Sequence, residues 1–182
     1  RTITHKLYDQ NNETRVAQEI VLGIGGAKIL EALKYEPDIY HMNEGHSLPM
    51  AFELLNRFKD AREVKKRLVF TTHTPETAGN EEHNIYMLDR MGFFAGSQLH
   101  EVRDVTGIQG DNFSLTVGAL KLAKIANGVS KIHGEVANEM WKDVEGRCEI
   151  IAITNAQNRR YWSDKTLMKA LDEHEDFELD AR

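Results

Sequence analysis

Four short apolar runs, each separated from the next by a longer stretch of helical spacing, restrict this chain more than any other feature. They are Asp38-Ile39-Tyr40-His41-Met42, Leu68-Val69-Phe70-Thr71-Thr72, Ala126-Asn127-Gly128-Val129-Ser130 and Glu149-Ile150-Ile151-Ala152-Ile153-Thr154. Apolar strands alternating with helices imply a parallel sheet covered on both faces. The predicted order is helix-strand-helix-strand-helices-strand-helix-strand-helix, a doubly wound α/β arrangement. Beginning on a helix suggests that an earlier strand precedes it.

Between the strands the apolar spacing is helical. Val16, Ile20, Ile24, Ile29, Leu30 and Leu33 predict a helix from about Glu13 to Lys34. Ser47 can cap a second helix with Pro49 in its first turn, ending at the basic run Lys65-Lys66-Arg67. A polar loop over 75–84 precedes helical patterns at about 85–94, 99–105 and 113–125. Another follows at 131–144. Asp164 can cap a last helix to about Leu171, before an acidic tail from Asp172 to Asp180. A length of 182 residues fits one domain, 1–182, with room for a substantial core.

Charge and cysteine usage exclude several functions. Lys and Arg number 23 against 29 Asp and Glu, a formal net charge of −6, which argues against broad binding to nucleic acid or anionic membrane. No apolar run reaches the ~18 residues of a membrane span, and the N-terminus has no secretory signal. Cys148 is the one cysteine, which rules out an internal disulfide and fits a reducing, cytoplasmic setting. Arg1 stands where an initiator methionine would, so the chain reads as a piece of something longer.

In open α/β sheets, ligands bind beyond the carboxyl ends of the strands. The residues expected there are Asn43-Glu44-Gly45-His46, His73-Thr74-Pro75, Lys131 with His133, and Asn155. A carboxylate, imidazoles and amides together suit a sugar, whose hydroxyls need both donors and acceptors. Ordinary turn and cap chemistry is the competing account. Three other patterns are set aside. Gly23-Ile24-Gly25-Gly26 lies inside a helical pattern and lacks the phosphate-loop ending, so close packing is the better explanation. His41, Glu44 and His46, even with His73 and His83, lack the helical two-turn metal spacing, and no metal is expected. Lys65–Arg67 has no interleaved aromatics and reads as a solvated helix end.

At these strand ends the residues become specific. Tyr40-His41-Met42-Asn43-Glu44-Gly45-His46-Ser47, the run from Phe70 through His73-Thr74-Pro75 to Gly79, and the run from Ala126 to Val136 resemble the α-glucan phosphorylases of glycogen, starch and maltodextrin. The shorter prokaryotic type is the most similar. Leu22–Gly26 and Ile153-Thr154-Asn155 match in the same order, so the resemblance runs from about Leu7 to Trp162.

The resemblance implies a Rossmann-like fold, one half of a two-domain glycosyltransferase with its site in the cleft. The implied reaction cleaves terminal glucose from an α-1,4-glucan with inorganic phosphate, giving glucose 1-phosphate. His73 falls on the histidine lying against the sugar at the cleavage point, the catalytic position. Asn155 falls on an asparagine that binds a sugar hydroxyl. Glu44 and His46 match an Asn-acid-x-His motif beside the substrate. Two departures stand out: Ala156 follows Asn155 where glycine is usual, and the phosphate-facing glycine loop is absent. Pyridoxal phosphate is the implied cofactor, but its lysine belongs to a C-terminal domain not found here. The chain is therefore expected to be an incomplete N-terminal domain, inactive alone, with that missing domain as a partner. A homo-oligomer is compatible with this reading. A non-catalytic sugar-binding module and half of a glycogen synthase-like glycosyltransferase are the rival readings.

Overall fold

The structure, a computed structural model, describes residues 2–7 and 9–173. The expected acidic tail runs into 174–182, outside the described residues. The strands are β1 Tyr40–Asn43, β2 Leu68–Thr72, β3 Glu82–Asn84, β4 Asn112–Ser114, β5 Ile125–Gly128 and β6 Glu149–Ala152. The helices are α1 Asn12–Ile20, α2 Gly26–Ala32, α3 Pro49–Phe58, α4 Ala61–Arg67 and α5 Ile85–Met91, then α6 Leu99–Thr106, α7 Leu115–Leu122, α8 Lys131–Met140, α9 Arg159–Trp162 and α10 Lys165–Glu173.

The four strands expected from the sequence form one parallel sheet in the order β1-β2-β5-β6. Helices flank it, so the fold is α/β and Rossmann-like. Each crossover advances one place in the same direction. Right-handed crossovers that all advance one way lay their helices on the same face. That face holds Tyr40, Met42, Leu68, Phe70, Ala126 and Ile150, all buried. Gly128 and Gly134 let α8 approach closely: a Cβ on Gly128 would sit 2.9 Å from the Gly134 nitrogen. The opposite face carries a polar row. His41 Nε2 contacts Thr71 Oγ1 at 2.7 Å, and the Thr71 hydroxyl donates to Asn127 Oδ1 at 2.7 Å. His41 itself is exposed.

Packing also corrects several sequence expectations. The first helix is interrupted by a π-helical turn, Val21–Gly25, where Gly23 meets α3. Ser47 does not cap: 45–47 form a 3₁₀ turn, and Leu48 leads into α3 with Pro49 as its first residue. The single helix expected to run on to Arg67 is two. Lys59 adopts φ 55°, and the Asp60 side chain caps α4 by accepting the Arg62 N–H at 2.8 Å. The loop over 75–84 and the start of the 113–125 helix contain β3 and β4, an antiparallel pair. Asn84 and Ser114 cap α5 and α7, and a capping residue keeps extended backbone, which leaves the preceding residues free to pair. Asp164 does cap the last helix, through the Thr166 and Leu167 N–H groups.

Beneath this face Phe52, Phe93, Phe94 and Phe113 form a cluster with ring centroids 5.0–6.4 Å apart. The mostly tilted and edge-to-face geometry suits the aromatic quadrupole. Cys148 is buried, which pushes its thiol up to about 11.

Candidate functional site

Glu44 follows β1 directly and sits at φ 61°, ψ 178°, a conformation that non-glycine residues rarely adopt. Its own N–H donates to the Thr71 carbonyl at 2.9 Å, carrying the β1–β2 ladder one step further. Its carboxylate then accepts the backbone N–H of His73 and the Thr74 hydroxyl, the latter at 3.0 Å. Holding a residue in such a region costs on the order of 1–3 kcal/mol, and these bonds offset it. Gly45 follows because no side chain fits: a Cβ there would lie 2.7 Å from Leu115 Cβ. The clasp fixes the His73 backbone while leaving its side chain exposed.

Asn155 is also exposed beyond its strand, with its N–H donating to the Val129 carbonyl at 3.1 Å. Ile153 N–H bonds the Gly128 carbonyl at 2.9 Å, so β6 follows β5 past its last ladder pair. Two strand spacings separate β2 from β6, about 10 Å, so His73 and Asn155 share one edge. Lys131 is exposed at the same edge. His133 is not, contrary to its expected place: it is buried, and its Nδ1 accepts the Val129 N–H at 3.2 Å.

His46 turns toward α1. Arg15 Nη2 lies 2.9 Å from its Nδ1, and Glu19 and Glu81 oxygens lie 3.8 and 3.6 Å away. Arg15 Nε donates to Glu81 Oε1 at 2.9 Å. The carboxylates hold the imidazolium, raising His46 to about 9. Burial raises Glu19 to about 7. Burial works against Glu81 as well, yet His46, Glu19 and Arg15 keep it well below the usual carboxylate range. A cavity of about 60 Å³ joins this cluster to the clasp, bordered by Glu44, His46, Thr74, Glu81 and Thr116 among others. The structure thus unites Glu44, His73 and, across the cavity, His46. Sequence reasoning missed Arg15, Glu19 and Glu81. The first two share one helix face four residues apart, but nothing local links them to the loop carrying Glu81.

A parallel, helix-backed sheet with polar side chains beyond its strand ends defines an α/β protein of the Rossmann-like class. No family model matches the chain. It is 46% identical, over 93% of its length, to an uncharacterized protein of Methanocaldococcus jannaschii, of which it covers 32%. It is 31% identical over 96% to the maltodextrin phosphorylase of Thermococcus litoralis, covering 23% of that protein. It is 30% identical over 96% to the glycogen phosphorylase of Aquifex aeolicus, covering 28%. Across nearly its whole length, then, the chain is a relative of the maltodextrin and glycogen phosphorylases, and it spans a third or less of the proteins it matches.

Proposed function

We propose that residues 1–182 form part of the N-terminal domain of an α-1,4-glucan phosphorylase. The reaction would cleave terminal glucose from glycogen or maltodextrin with inorganic phosphate to give glucose 1-phosphate. The observation that carries this reading is the Glu44 clasp on His73, which sets an exposed imidazole at a strand end where the phosphorylase-like motif lies. His73 would lie against the sugar at the cleavage point, and Asn155 would bind one of its hydroxyls. Glu44 would act through His73 by fixing its backbone. His46 would brace the turn from beneath, with its ring engaged by Arg15, Glu19 and Glu81. Imidazole and amide supply the mixed donors and acceptors that a sugar requires. Ala156 has a side chain where the resemblance leads one to expect glycine, which narrows the backbone's freedom beside Asn155.

Pyridoxal phosphate does not fit the cavity beside Glu44. The cavity beside Glu44 is about 60 Å³ and no lysine borders it, whereas ligand pockets begin near roughly 300 Å³. Among the residues bordering this cavity none is suited to hold the cofactor. Among the described residues no helix is long and apolar enough to cross a membrane.

Maltoheptaose titrated into the chain should shift the amide resonances of 43–46, 73–74, 129–130 and 153–155. In a full-length protein containing this stretch, His73→Ala should lower kcat on long glucans about 100-fold or more and change KM little, since outer sugars still bind elsewhere. Sugar binding without phosphorolysis in that longer protein would favour the binding module instead. Turnover of a nucleotide sugar would favour the synthase-like reading. An active enzyme indifferent to losing His73 would overturn the assignment.

A further inference from the structure

Glu19 is the most completely buried carboxylate described, with its side chain 1% exposed and neither oxygen within hydrogen-bond distance of a donor. Glu81 Oε2 is likewise buried without a hydrogen bond, although Arg15 engages Oε1. Arg15 Nε stands 3.7 Å from Glu19 Oε1, an ion pair without a hydrogen bond. Leaving carboxylate oxygens without hydrogen bonds is expensive, and a proton or a bound cation can relieve what remains of the cost. The spacing is too wide for hydrogen bonds within the cluster and closer to that of ligands around an ion. Direct N–H···O bonds would draw His46 to about 2.9 Å from each carboxylate. The observed separations are 3.8 Å to Glu19 and 3.6 Å to Glu81, and the three ligand atoms all lie within 4.8 Å of one another. Ligands about 2.1 Å from a shared cation and spread around it sit roughly 3.0–3.6 Å apart, so the His46–Glu81 spacing already fits and an ion would draw Glu19 inward by a few tenths of an ångström.

We propose that Glu19, His46 and Glu81 form a binding site for one divalent transition-metal cation, of the Zn²⁺ or Co²⁺ type. One imidazole and two carboxylates make a mixed N/O set, which suits these borderline ions better than Mg²⁺ or Ca²⁺. The neighbouring cavity of about 60 Å³ has room for a water ligand or two to complete the coordination. Arg15 is the group that must yield. Its Nη2 stands 2.9 Å from His46 Nδ1, where a metal would approach once that nitrogen has shed its proton, whereas its bond to Glu81 Oε1 can remain and orient Oε2 inward. The site would tie α1, the 45–47 turn and the loop before β3 together through one ion. It shares His46 with the proposed sugar-facing turn but involves neither His73 nor Asn155, so metal binding and sugar binding can be tested apart.

The full 182-residue chain, stripped of metal, is titrated with Co²⁺ and with Zn²⁺. At pH 8 one equivalent should bind, with Co²⁺ giving visible d–d absorption and broadening amide signals around 19, 46 and 81. Affinity should fall by pH 6, since His46 and Glu19 must shed protons to ligate. Glu19→Gln and His46→Gln should each weaken Zn²⁺ binding at least tenfold, and His41→Gln, on the far face of the sheet, should leave it unchanged. If the variants fail to fold, the position of Co²⁺ broadening in the unaltered chain decides. Absence of saturable binding, broadening centred elsewhere, or affinity that survives both cluster variants would overturn the proposal. A proton shared within the cluster would then be the answer.

Discussion

Glu44 joins an unfavourable backbone angle to two productive bonds, and the consequences of altering it follow from that pairing. Glu44→Ala should cost about 1–3 kcal/mol, because the His73 N–H and the Thr74 hydroxyl lose their acceptor in a half-buried site. Glu44→Gln keeps an acceptor oxygen and should cost less. Urea denaturation of both variants beside the unaltered chain checks the order, and a Glu44→Ala midpoint equal to that of the unaltered chain would show that the clasp contributes nothing. The cluster behind it makes a second demand, on pH. Glu19 and Glu81 raise His46 from 6.5 to about 9, so its stabilising proton is fully present below pH 6.5 and lost as pH rises through 9. Burial raises Glu19 from 4.5 to about 7, so the folded chain binds more protons than the unfolded chain between those values. Both effects have one sign, while His83, lowered by burial, opposes them below pH 6.5, so the metal-free chain should lose stability most clearly as pH climbs from about 6.5 to 9. Glu19→Gln should flatten the lower part of that decline. A urea midpoint that rises over this interval would contradict the arrangement.

The elements were legible in the sequence where burial alone determined them. Leu68–Thr72 and Glu149–Ala152 lie where apolar, β-branched content placed them, since a strand buried in a parallel sheet has little choice of composition. β3 and β4 were not legible. They are three residues each and largely polar, and they pair because caps on the following helices hold them extended. The His73 and Asn155 positions were legible as strand ends, but the turn of His46 toward α1 was not, because its partners come from two distant segments. The glycines of the first helix show how one motif divides between two roles. A Cβ on Gly23 would lie 2.7 Å from the Met50 nitrogen, which is backbone and cannot step aside, whereas Gly25 and Gly26 face open space. Gly23→Ala should therefore cost about 1–3 kcal/mol by pushing the π turn off α3. Gly25→Ala or Gly26→Ala should stabilise by roughly 0.5–1 kcal/mol, the usual gain from removing glycine within a helix. Thermal midpoints moving in opposite directions would confirm the division, and a common direction would refute it.

At the scale of the whole molecule, the strand order β1-β2-β5-β6 makes three of three neighbours in the sheet successive along the main crossovers, but the crossovers are unequal. Tyr40 pairs with Leu68 and Ile125 with Glu149, whereas Val69 must find Ile125 across a far longer connection. Closing a loop twice as long adds only about 0.6 kcal/mol, so the β2–β5 junction is no weaker in principle than the others. Its integrity rests on what crosses it: the Thr71–Asn127 bond, the β3–β4 pair, and Phe113 packed against Phe52, Phe93 and Phe94. Each side of the junction holds an adjacent pair of strands with its own connecting helices. The exposed turn at 109–111 lies between those sides. Severed at Gly110, the polypeptide should behave as two complementary halves that reassemble on mixing, with heteronuclear NMR of the mixture reproducing the spectrum of the unbroken chain. Halves that stay apart would show that covalent continuity, rather than the shared aromatic cluster and the central strand pairing, holds the two sides together.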